Sequence, residues 1–179
     1  LAEVLGPLGS DLEAAVFVVQ HMPAPFTEPL ARRLGQLSGL RVVHVAGGEV
    51  PEPGTAYVAP ADFHLRVRRD PALRLSLDQE PPVWGVRPSA DVLFESVAET
   101  YGARAVGVVL TGMGRDGAAG MLRIRRAGGS TLVQDRETAV VYGMPAQCIA
   151  LGAAEAIVEL GRIADAIAER VARIRTRGP

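Results

Sequence analysis

The sequence predicts an α/β fold, a doubly wound and mostly parallel sheet flanked by helices, with an antiparallel β-hairpin at one edge. Three observations carry that expectation. Short apolar, β-branched runs alternate with segments of helical period, the pattern of βαβ units around a buried parallel sheet. One stretch in the middle breaks the alternation with period-two apolar positions around a tight turn. The chain has 179 residues, 48% of them hydrophobic, which is enough for one ordinary globular core and too little for two.

Along the chain, residues 14–19 (AAVFVV), 40–45 (LRVVHV), 105–110 (AVGVVL) and 130–134 (STLVQ) read as strands. Thr27 is placed to cap a helix running to about Leu37, with Gly39 just past its end. Ser89 is placed to cap another, in which Phe94, Val97, Ala98 and Tyr101 share a face. A last helix sets Ile163, Ile167, Val171 and Ile174 on one stripe, and Arg170, Arg173 and Arg175 suit the negative end of its dipole. Residues 63–68 and 72–77 form the predicted hairpin, turning at Arg69-Asp70-Pro71. Residues 47–60 and 79–88 are rich in Pro and Gly and read as ordered loops. No repeat or linker interrupts residues 1–179, so a single domain is expected.

Charge and composition narrow the function. With 19 basic and 20 acidic side chains the net charge is -1, which argues against nucleic-acid binding driven by counterion release. No apolar run reaches the length of a membrane span, and the first residues lack a secretory signal, so a cytoplasmic protein without membrane insertion is expected. All the basic residues are arginine, which cannot be localised to a site. The first residue is not Met, which points to a natural N-terminus further upstream. Cys148 is the sole cysteine, so no internal disulfide or multi-cysteine metal cluster can form, and a buried, inert thiol is expected there. No histidine spacing matches a metal site, and no cofactor is implied.

In open α/β sheets, ligands bind beyond the carboxyl ends of the strands. Two segments sit there: Gln20-His21-Met22-Pro23 after the first strand, and residues 110–117 (LTGMGRDG), which turn a buried strand into a helix through three glycines. His21 is the better site candidate among the histidines, although a strand-end imidazole bonded to a backbone carbonyl accounts for its position too. His44 lies within a strand and reads as packing or surface, and His64 opens the hairpin. Gly112, Gly114 and Gly117 also satisfy a dinucleotide fingerprint, with Asp135 as the ribose acid 23 residues past Gly112. Against that, the fingerprint belongs to a first βα unit, and Asp116 would repel a pyrophosphate. A carboxylate on a rigid glycine turn suits the orienting of a histidine.

Five motifs occur in order: Gln20-His21-Met22-Pro23 with Phe26-Thr27; Tyr57-Val58-Ala59-Pro60; Arg87-Pro88-Ser89 with Asp91-Val92-Leu93-Phe94; residues 110–117; and Val141-Tyr142-Gly143-Met144-Pro145. Together they resemble the catalytic domain of the CheB-type chemotaxis-receptor methylesterases. The resemblance implies hydrolysis of glutamate methyl esters, and deamidation of certain glutamines, on cytoplasmic helices of methyl-accepting chemoreceptors. It implies a Ser-His-Asp mechanism in which His21 is the base, Asp116 its partner and the Met113 backbone N–H the oxyanion donor. Thr111 and Met144, in the same motifs, are implied to contact substrate. The family often carries a receiver-type regulatory domain upstream, and none is visible in these residues.

Two departures stand out. The family's serine lies in an S-T-G-G turn after a strand that nothing here matches, so the nucleophile is expected upstream of Leu1 and the 179-residue chain is expected to be inactive. Ser10 is no substitute, because it precedes the strand that leads to His21. Val86 stands where members commonly have histidine before Arg-Pro-Ser. A catalytically dead homologue that binds receptors or a partner is the alternative reading, with a dinucleotide-binding module third. Should the chain be active alone, Thr111 or Ser89 would be the nucleophile candidates.

Overall fold

A computed structural model describes residues 1–176, and these fall into two compact units that divide after Ser89. The first unit holds helix α1 (Ala2–Leu5), strand β1 (Val16–Val18), helix α2 (Thr27–Leu37), strands β2 (Arg41–His44) and β3 (Thr55–Val58), and the pair β4 (His64–Arg69) and β5 (Leu73–Asp78). Its parallel sheet runs β1-β3-β2, with Phe17 opposite Tyr57 and Val43 opposite Tyr57 from the other side.

The central strand β3 corrects the reading of residues 47–60 as loop throughout. Thr55-Ala56-Tyr57-Val58 is a β-branched and aromatic run bracketed by Pro53-Gly54 and Pro60, and every residue of it is buried. Tyr57 stacks its ring on Phe17. Its hydroxyl donates to the Val50 carbonyl and accepts the Glu52 amide, fixing the irregular stretch before the strand. A four-residue strand leaves too short a periodic signal against the six prolines and glycines of residues 47–60.

The hairpin forms as predicted, antiparallel from His64 opposite Asp78 to Arg69 opposite Leu73. Gly48 and Glu49, just beyond β2, exchange backbone hydrogen bonds with Leu75, which hangs the pair on the β2 side. Residues 79–88 are ordered, as expected. The Arg87 guanidinium donates to the carbonyls of Gln79 and Glu80, and Val83 and Val86 exchange both backbone hydrogen bonds across Trp84-Gly85. Val86 therefore serves the turn through its backbone.

Helix α2 has the predicted extent, but Thr27 is its first residue rather than its cap. The Thr27 hydroxyl donates to the Ala24 carbonyl and receives the His44 Nε2–H.

The second unit contains helix α3 (Ala90–Tyr101), strand β6 (Val106–Val109), helix α4 (Ala118–Arg126), strand β7 (Ser130–Gln134), helix α5 (Gly143–Ala150), strand β8 (Ala156–Val158) and helix α6 (Ile163–Thr176). Its parallel sheet runs β6-β7-β8. Central β7 is buried from Thr131 to Gln134. Val109, Met121, Val133 and Cys148 form a core with Phe94 and Met144 packed against it. Strand β8 was not expected, since Ala153-Ala154-Glu155-Ala156 favours helix over strand. Along α6, Ile163 is buried and Ile167, Val171 and Ile174 are half-buried, as their stripe requires.

Candidate functional site

The glycine turn follows β6. Gly117 takes φ of +90° directly before α4, a conformation open to glycine and costly for other residues. That geometry lets the chain leave the strand, expose Met113 and tuck Asp116 inward within four residues. Asp116 is 3% exposed. One carboxylate oxygen accepts the Ala90 amide at 2.6 Å and the other accepts the Asp91 amide at 3.1 Å.

Asp116 thus supplies the cap of α3 that Ser89 was expected to supply. The exchange is reciprocal, because the Asp91 carboxylate accepts the Gly120 amide in the first turn of α4 at 2.7 Å. Two helix N-termini each receive a carboxylate from the other's chain segment, and amide donors at the positive end of a helix stabilise that negative charge.

Thr111 and Met144 lie at the same strand end with structural engagements. The Thr111 hydroxyl donates to the Val141 carbonyl and accepts the Val141 amide, and the Thr111 amide donates to Gln134 Oε1 at 2.8 Å. Gly112 and Tyr142 pair as a parallel bridge, and the Gly143 and Met144 amides both donate to the Gly112 carbonyl. A Cβ on Gly143 would sit 2.8 Å from that carbonyl and 3.0 Å from the Gly114 nitrogen, so only glycine permits this approach. The Met144 side chain covers Gly112. Met113 is therefore held in a turn buttressed from below, with its side chain 86% exposed. Its N–H donates to no group among the described residues.

His21 belongs to the first unit. It is half-buried in the segment that continues past the carboxyl end of β1, where the Val18 carbonyl still accepts the Ala59 amide. His44 and His64 are structural. His64 is fully buried; its Nδ1 accepts the Ser89 amide and its Nε2–H donates to the Pro81 carbonyl, which assigns the neutral Nε2–H tautomer.

Gln134, Asp91 and Val141 organise the site; Asp91 and Val141 stand in the quoted motifs with no role assigned to them, and Gln134 stands in none. Each acts through a partner 23 to 30 residues away. Asp135, the candidate ribose acid, instead turns back to accept from the amide and hydroxyl of Thr138.

Cys148 is fully buried, and burial, with the nearby charge of Asp91 second, pushes its thiol up to about 12. Its thiolate is scarce at neutral pH, so iodoacetamide at pH 7.5 is expected to leave the folded protein unmodified and to alkylate it in denaturant, as mass spectrometry would read. Fast alkylation of the native protein would contradict this packing. Among the described residues, no group of three or more His, Cys, Asp or Glu is arranged to hold a metal ion, and no helix is long and apolar enough to cross a membrane.

A family model described as CheB methylesterase matches residues 1–167. A protein of Symbiobacterium thermophilum named protein-glutamate methylesterase/protein-glutamine glutaminase is 48% identical over 171 residues, covering 96% of this chain and 47% of that protein. A Pyrococcus horikoshii protein of the same name is 40% identical over 179 residues, covering 99% and 49%. The chain thus spans about half the length of these curated relatives. The crystal structure of the Thermotoga maritima CheB methylesterase catalytic domain superposes with a TM-score of 0.91 at 36% identity, covering 94% of this chain and 89% of that one.

Proposed function

The chain belongs to the CheB methylesterase family, and from that premise we propose that both of its units serve one catalytic domain that hydrolyses glutamate methyl esters and deamidates glutamines on chemoreceptors in the cytoplasm. The observation that carries this reading is the glycine turn. It presents the unoccupied N–H of Met113 three residues before a carboxylate, Asp116, whose oxygens are fixed by two amides.

In the proposed reaction a serine hydroxyl attacks the side-chain carbonyl of the ester while His21 accepts its proton. Asp116 orients the imidazole and stabilises its charged form. The Met113 N–H receives the oxyanion, a contribution typically about 3 kcal/mol. Collapse expels methoxide, which takes the proton from His21 and leaves as methanol. Water, activated by the same imidazole, then frees the glutamate carboxylate from serine. With glutamine the leaving group is ammonia.

The serine is proposed to lie outside these 179 residues, in the S-T-G-G turn that the family resemblance implies. The hydroxyls within the chain support this. Ser89 is fully buried and the Thr111 hydroxyl is committed to Val141. The Ser10 backbone packs against Gly54 at the start of β3, the opposite end of that sheet from the segment bearing His21.

The test is release of methanol from methylated receptor fragments, and of ammonia from their glutamine forms, by the protein with its S-T-G-G segment present. Release of both supports the reading. Folded protein that binds the fragments and releases neither would favour a catalytically dead receptor-binding homologue.

A further inference from the structure

Gln134 is fully buried at the carboxyl end of the central strand β7. A primary amide is costly to bury unless its oxygen and its hydrogens find partners. Here Oε1 accepts the Thr111 amide at 2.8 Å, and Nε2 donates to the Thr138 hydroxyl oxygen at 3.2 Å. The Thr138 hydroxyl gives its one hydrogen to the Asp135 carboxylate and also accepts the Leu160 amide at 3.2 Å. The side of that hydroxyl facing Gln134 is therefore an acceptor, which turns the Gln134 nitrogen to Thr138 and its oxygen to Thr111. From Thr111 through Gln134 and Thr138 to Asp135 every bond points the same way and the chain ends on a carboxylate, an arrangement in which hydrogen bonds strengthen one another. The other bonds of the glycine turn run to residues 141–144: Val141 to the Thr111 hydroxyl and the Gly112 amide, Gly143 and Met144 to the Gly112 carbonyl. Those bonds join two loop segments to each other. Gln134 ties the pair to the sheet, holding Thr111 directly and, through Thr138, the start of the segment that leads to Val141.

We propose that Gln134 is a positioning residue for the reaction, setting the place of the Met113 N–H through Thr111, with Thr138 as the group that orients the Gln134 amide. This rests on the methylesterase reading of the site. An oxyanion donor is effective only where the negative charge develops, and a displacement of about 1 Å costs on the order of 100-fold in rate. Thr111 stands two residues before Met113, and Gly112 between them is held at both its amide and its carbonyl. A shift of the Thr111 amide is therefore passed along the turn to Met113 rather than absorbed within it.

The test is steady-state methanol release from a methylated receptor fragment by the serine-containing protein and its variants. Gln134→Met keeps a side chain of similar length and removes both hydrogen bonds. Its kcat is expected to fall about 10- to 100-fold with KM within about twofold of the parent, because the donor serves the transition state and not the bound ester. Inhibition by a peptide boronate, whose tetrahedral adduct with the serine sets an oxygen at the Met113 N–H, should weaken in the same proportion as kcat. Thr138→Val, at a half-buried position, should show the same pattern at about 3- to 10-fold, and it decides the matter if Gln134→Met does not fold. Thr131→Val is the control for stability. It removes a buried hydroxyl that accepts the Glu155 amide near the other end of the same strand, and should lower the denaturation midpoint while leaving kcat unchanged. The proposal is overturned if the Gln134 and Thr138 variants turn over as the parent does, if they raise KM without lowering kcat, or if Thr131→Val loses as much kcat. No methanol from the parent would overturn the methylesterase reading and this inference with it, whereas equal release by parent and variants overturns this inference alone.

Discussion

Replacing Asp116 by alanine is expected to cost about 2 to 4 kcal/mol of stability and to abolish methanol release at the same time. The stability loss follows from the buried Ala90 amide and the half-buried Asp91 amide, which would lose their acceptor at the start of α3. The activity loss follows from the imidazole losing the group that sets its tautomer. Asp116→Asn separates the two effects. An asparagine side chain offers one acceptor oxygen where aspartate offers two, so about half of the stability should return, while activity stays down by roughly 10⁴. Urea denaturation and methanol release measured on the same preparations read both quantities. Full activity in a destabilised Asp116→Asn protein would reduce this carboxylate to a helix cap.

The larger catalytic effect is expected at His21. In the protein with its serine present, His21→Ala removes the only proton acceptor in the mechanism, and turnover should fall by about 10⁴ to 10⁶. Stability should change little, since His21 is half-buried in a segment outside any strand or helix. That contrast distinguishes the two residues, with His21→Ala folded and inactive and Asp116→Ala inactive and weakened. His44→Ala and His64→Ala serve as controls. Both imidazoles are already engaged, His44 with Thr27 and His64 with Ser89 and Pro81, so their loss should register in stability before it registers in turnover.

What could be read in the sequence was local. The period-two hairpin, the strand 130–134 and the extent of α2 each declare themselves within about 15 residues and form with small changes at their ends. The glycine turn was legible for the same reason, because spacing alone marks a strand-to-helix corner. Contacts that depend on distant partners were not. The cap of α3 comes from Asp116, about 25 residues along the chain, while Ser89, adjacent and of the right type, looked sufficient. Val141 opens one of the quoted motifs, but its role shows only when Thr111 grips it from 30 residues away. The central strand β3 failed in the opposite way. Its four residues have strand character, but the prolines and glycine around them spoke louder than so short a run.

The most direct test of an upstream nucleophile is the methanol released from a methylated receptor fragment by two proteins side by side, the chain beginning at Leu1 and the same chain preceded by a strand and S-T-G-G turn. None above background is expected from the first and sustained release from the second, lost again when the added serine is changed to alanine. Sustained release by the chain beginning at Leu1 would be the contrary result, since Ser89 is buried, the Thr111 hydroxyl is committed to Val141 and Ser10 lies at the opposite end of its sheet from the segment bearing His21.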